Sequence, residues 1–145
     1  MKGIVETALV PHRDAWYTEN TEGVAVAQVL TLVDDLFFQA KMTETARQLS
    51  IGLQSCTTAD ALLAEARREI PRLIIVDLNA RHHPIEAVER ICAAVRDVPL
   101  VAFLSHVETD LAERARAAGC HEVMPRSQFT RNLATILSQV KSESP

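Results

Sequence analysis

Residues 73–77 read Leu73-Ile74-Ile75-Val76-Asp77, and residues 30–35 read Leu30-Thr31-Leu32-Val33-Asp34-Asp35. Both runs are short, aliphatic and closed by acid, and each precedes a helix-like pattern. An uninterrupted apolar run of this length is the mark of a parallel strand buried on both faces. In open α/β sheets the carboxyl ends of such strands line the ligand crevice. Three carboxylates gathered there repel one another unless a cation or a proton is shared. The acid endings therefore point to a metal site or to phosphate chemistry.

Working outward from these runs, strand and helix patterns alternate. Val29–Val33 is the first strand, and Phe38, Met42, Thr45, Ala46 and Leu49 follow at helical spacing. Ile51–Ser55 is a short second strand, and Thr58 or Asp60 caps a helix carrying Leu62, Leu63 and Ala66. Leu73–Asp77 is the third strand, followed by the stripe Ile85, Val88, Ile91, Cys92 and Val95. Pro99–Leu104 is the fourth strand, and Gly119 ends the small-residue helix of Leu111, Ala112, Ala115 and Ala118. Val123–Met124 is a brief fifth strand, and Ser127 caps a last helix through Phe129, Leu133, Ile136, Leu137 and Val140. Five βα units joined by short loops predict a doubly wound, flavodoxin-like parallel sheet of order 2-1-3-4-5. That order sets the first strand beside the third, so Asp34, Asp35 and Asp77 face one switch point.

Length and composition agree with one domain. The chain has 145 residues, 48% of them hydrophobic, and a formal net charge of −4. The acidic balance argues against nucleic acid as a partner. The sequence contains no apolar run long enough to span a membrane and no signal-peptide pattern, so a cytoplasmic protein is expected. Cys56, Cys92 and Cys120 have no CxxC spacing and read as reduced, mostly buried thiols. Residues 1–25 hold the only Trp and Tyr (Trp16, Tyr17) with weak periodicity, and read as an N-terminal tail or arm. Residues 26–141 form the regular domain and 142–145 a C-terminal stub.

The glycines exclude several chemistries. There are four, Gly3, Gly23, Gly52 and Gly119, and none builds a glycine-rich loop after a strand. Walker-type phosphate loops and dinucleotide fingerprints need such loops so that backbone amides can approach phosphate. HExxH, GxSxG and zinc-type Cys/His patterns are also missing. Mg²⁺, which takes hard oxygen ligands, suits the acids. A strand-end aspartate is also a nucleophile toward phosphorus. A dehalogenase-type phosphatase needs a second aspartate two residues further on, which Asp77-Leu78-Asn79 and Asp35-Leu36-Phe37 do not supply.

The segments Leu32-Val33-Asp34-Asp35 and Ile74-Ile75-Val76-Asp77-Leu78-Asn79 resemble those of the receiver domain of two-component response regulators, over roughly Gln28–Val140. The resemblance implies a phosphoacceptor signalling domain, not an enzyme. By it, Asp77 accepts phosphate, and Asp34, Asp35, Asp77 and the backbone carbonyl of Asn79 hold Mg²⁺, with Asp35 the more direct ligand of the acid pair. It further implies a histidine kinase or phosphotransfer protein as donor and a downstream protein partner. The surface the family most often uses spans the fourth helix, fifth strand and fifth helix, and symmetric homodimerisation through it is an equal use.

The chain departs from the family pattern at three places. Leu104 stands where the family has a Thr or Ser that contacts the phosphoryl group, and Ser105 serves only if the strand end shifts by one residue. Arg126 falls at the position of the family lysine, and Val123 at that of its switch aromatic. In the loop after Asn79, Arg81, His82 and His83 replace the usual Pro and Gly; His106 lies in another loop of the same end. Two readings follow: a stand-alone receiver phosphorylated on Asp77 with Mg²⁺, or a degenerate receiver that binds partners independently of phosphorylation. An ion pair of Arg126 with Asp77 that fills the metal position favours the second.

Overall fold

The computed structural model describes residues 18–19, 25–26, 28–81, 83–105 and 108–142. Trp16, Tyr17, His82, His106 and residues 143–145 of the C-terminal stub lie outside them. Ahead of the main sheet, β1 (Thr18–Glu19) pairs antiparallel with β2 (Ala25–Val26). The domain then runs β3 (Val29–Leu32), α1 (Leu36–Gln48), β4 (Leu53–Cys56), α2 (Ala59–Arg68), β5 (Leu73–Asp77), α3 (Pro84–Ala94), β6 (Leu100–Leu104), α4 (Thr109–Ala118), β7 (Glu122–Pro125), α5 (Arg126–Arg131) and α6 (Leu133–Ser142).

The five main strands are parallel and ordered β4-β3-β5-β6-β7, which is the predicted 2-1-3-4-5. Alternation along the strands divides the core in two. Leu30, Leu32, Ile74, Val76, Leu100, Ala102 and Leu104 face α2, α3 and α4. Val29, Val33, Ile75, Val101 and Phe103 face α1, α5 and α6. All five residues of β5 and all five of β6 are buried, as their unbroken apolar runs require.

Several boundaries differ from the sequence reading. The second strand is Leu53–Cys56, two residues later at its start than Ile51–Ser55: the Ile51 N–H still donates to Ala46 O of α1, and Gly52 O, accepting from Val29 N, opens the pairing with β3. Thr58, not Asp60, caps α2: its hydroxyl accepts from Ala61 N at 3.0 Å. Asp60 instead pairs with Arg90 of α3 at 2.9 Å. The last helix begins at Arg126, directly after Pro125, so Ser127 lies inside the first turn and caps nothing. Asn132 interrupts it and divides α5 from α6.

Candidate functional site

The register fixes where the acids stand. Leu32 pairs with Val76, and Asp77 pairs with Phe103, so the carboxyl ends of β3, β5 and β6 open on one crevice. Asp77 is 4% exposed, and burial pushes its carboxyl above the ordinary aspartate range. The Asn79 N–H, donating to Asp77 Oδ1 at 2.8 Å, and the charge of Arg126 oppose that rise, while Asp34 and Asp35 add to it. The three acids thus feel one another across the switch point.

Each acid also has a protein partner. Asp34 Oδ2 accepts from Arg81 N at 3.0 Å, in the loop after β5. Asp35 is the N-cap of α1: its Oδ1 accepts from Phe37 N at 3.0 Å and Phe38 N at 3.2 Å. Its Oδ2 accepts from Arg126 Nη2 at 2.8 Å. That bond, ahead of the Phe38 N–H bond, holds the Asp35 carboxyl below the usual range.

Arg126 leaves the end of β7 and reaches across the crevice to Asp35 rather than bonding to Asp77. Its guanidinium carbon lies 4.3 Å from the Phe38 ring centre and 5.8 Å from that of Phe103. Phe38, Phe103 and Phe129 pack together with centroids 5.1, 5.9 and 4.6 Å apart. In the sequence Phe38 and Phe129 mark helical stripes and Phe103 falls within the fourth strand. Their second use, as a platform for Arg126, was hidden because three elements supply the parts.

Leu104 ends β6 and is buried among the core residues that face α2, α3 and α4. Ser105 follows as an exposed residue whose N–H donates to Asn79 Oδ1. Val123 is half-buried beside α4. His83 caps α3 in the left-handed region (φ 56°), is exposed, and makes no side-chain cap bond. His121, to which the sequence assigned nothing, ties β6 to the start of β7: its N–H donates to Leu100 O at 2.8 Å, and its Nδ1 accepts from Leu100 N at 3.0 Å.

The donor set suits Mg²⁺ in kind, being carboxylate and carbonyl oxygen at two adjacent strand ends. In arrangement, Asp35 is committed to a guanidinium and a helix cap. Among the described residues no group of three or more His, Cys, Asp or Glu is disposed to hold a metal. The cysteines take no part. All three are free, and burial pushes the Cys56 thiol up to about 11 and that of Cys120 up to about 12.

No family model and no curated protein matches the chain. Solved structures do. A two-component response regulator from Clostridium difficile superposes with a TM-score of 0.71 at 11% identity, covering 81% of this chain and 97% of that one. A chemotaxis response regulator of Vibrio cholerae gives 0.69 at 17%, covering 79% and 98%. A response regulator protein from Burkholderia pseudomallei, with a phosphorylated aspartic acid, calcium ion and citrate, gives 0.66 at 17%, covering 81% and 72%. At these identities the likeness defines the fold: residues 28–142 have the receiver fold of response regulators. No helix among the described residues is long and apolar enough to cross a membrane.

Proposed function

We propose that this chain is a receiver-type signalling module that works by protein contact and does not depend on phosphorylation of Asp77. The observation that carries the reading is the end of β6. Leu104 is buried in the core and has no hydroxyl to offer a phosphoryl group on Asp77, and the Ser105 N–H is taken by Asn79. Phosphoryl transfer relies on groups positioned around the transferred oxygens, so loss of one such contact removes transition-state stabilisation. The partner is a protein. A histidine kinase or phosphotransfer protein and a downstream target are the classes that this fold implies, and a second copy of the chain is a further candidate.

A second reading is supported by Asp77 itself, a carboxylate kept at the centre of the crevice despite the cost of burial. In it Asp77 is the phosphoacceptor, Arg126 and Ser105 attend the phosphoryl group, and Asp34, Asp35, Asp77 and the Asn79 carbonyl hold Mg²⁺. That ion would supply neutralisation of the transferring charge. Incubation with acetyl phosphate and Mg²⁺, read by intact mass, separates the two. An unmodified chain is expected. A phosphoryl adduct on the wild type that disappears in Asp77→Asn would establish the second reading and overturn the first.

A further inference from the structure

We infer that Arg126 is the resident cation of the acidic pocket, and that a divalent ion gains Asp35 only by displacing it. The inference builds on the receiver-type reading of this pocket and concerns its regulation.

Both oxygens of Asp35 are engaged. Oδ1 caps α1 through Phe37 N and Phe38 N, and Oδ2 accepts from Arg126 Nη2 at 2.8 Å. An incoming cation at Asp35 Oδ2 meets the guanidinium already bonded there, and the two positive charges repel. The guanidinium is not a loose surface group. Its side chain is 29% exposed, and its plane is held over Phe38 and beside Phe103 within cation–π range. An arginine can stack on a ring and donate to a carboxylate at once, which a lysine ammonium does less well. Its starting point is also fixed, because Arg126 opens α5 directly after Pro125 (φ −62°). Remove the guanidinium, and Asp35 Oδ2 loses its cation at the strand ends that also carry Asp34 and Asp77, which is the condition under which a hard divalent ion binds.

The test uses the whole chain, with Mn²⁺ binding followed by calorimetry and thermal unfolding followed in EDTA and in millimolar Mg²⁺. The variants are Arg126→Ala, Arg126→Gln, which keeps a side-chain stem over Phe38, and the double variant Arg126→Gln/Asp35→Asn. The wild type is expected to melt alike with and without Mg²⁺. The Arg126 variants are expected to bind Mn²⁺ about tenfold tighter or more than the wild type. They should also melt lower in EDTA and recover in Mg²⁺, and the double variant should lose both responses. The proposal is overturned by a wild type that binds Mn²⁺ as tightly as the variants, by variants that gain no affinity, or by a gain that survives Asp35→Asn. Variants that stay unfolded with and without Mg²⁺ overturn it as well, since a replaceable cation would have been replaced. Ion binding is read here without phosphate. A phosphorylated Asp77 would sink the proposed function and leave this result standing, and the reverse also holds.

Discussion

Thr31 shows how much a single atom can carry. Its hydroxyl is fully buried in β3 and is the one buried side-chain polar atom without a hydrogen-bond partner among the described residues. An unpaired buried hydroxyl costs about 1–3 kcal/mol, and valine has nearly the same shape. Thr31→Val is therefore expected to stabilise the domain by about 1 kcal/mol, measured by urea or thermal unfolding. Asp77 sets a second residue-scale expectation. Its carboxyl in the folded chain titrates above the ordinary value of 3.8. Its contribution is fully present below that value and is lost as pH rises through the raised one. At neutral pH the charged form is a cost. Asp77→Asn keeps an oxygen to accept the Asn79 N–H, so it should raise the unfolding midpoint at pH 7. The gain should shrink to nothing as pH falls below the ordinary aspartate value. A gain that is flat with pH would refute burial as the cause. Asp35 works in the opposite sense, its lowered carboxyl adding stability that is lost only as pH falls.

Among the elements, the end of α4 is the most constrained. Gly119 closes that helix at φ 131°, a conformation that side chains avoid, and a Cβ there would overlap Cys92 Sγ from α3. Gly119→Ala is expected to destabilise by roughly 1–3 kcal/mol from the backbone alone. Adding Cys92→Ala should recover the steric part but not the backbone part, so a double-mutant cycle in unfolding experiments separates the two. The start of α1 shows the opposite economy. Asp35 caps the helix while its neighbours Leu36 and Phe37 project into solvent, 75% and 91% exposed. Phe37→Ser should change stability by no more than about 0.5 kcal/mol, because the side chain buries almost nothing. Any loss of partner binding in that variant would then be a contact effect.

At the scale of the whole molecule, Phe103 joins parts that the chain order keeps apart. It lies in β6, packs on Phe38 of α1 and Phe129 of α5, and sits within cation–π range of Arg126. Phe103→Ala should cost about 3–5 kcal/mol in unfolding free energy, as a large cavity at the meeting of three elements. It should also loosen the Arg126–Asp35 pair, so the variant that remains folded should bind Mn²⁺ more readily than the wild type. Unchanged metal affinity would separate the aromatic platform from the ion pair. The two-layer core explains why the order of strands was readable in advance. The central strands β3, β5 and β6 are short, mostly apolar runs between helical stripes, and right-handed crossovers leave few ways to stack such units.

The sequence by itself determined the fold, the strand order and the identity of the acids at the switch point, because these follow from local hydrophobic pattern and from the handedness of βα units. It also marked Leu104, Arg126 and Val123 as departures. Boundaries set by turns, such as the late start of β4 and the entry into α5 at Arg126, escaped it, since backbone bonds such as those of Gly52 decide them. Only the tertiary structure decided what Arg126 does. A guanidinium can reach several carboxylates from the end of β7, and the choice of Asp35 depends on Phe38 and Phe103 arriving from α1 and β6 to carry its plane. Side chains that meet across distant elements leave no periodicity in the chain. The charge balance of this pocket is therefore written in packing and not in sequence spacing.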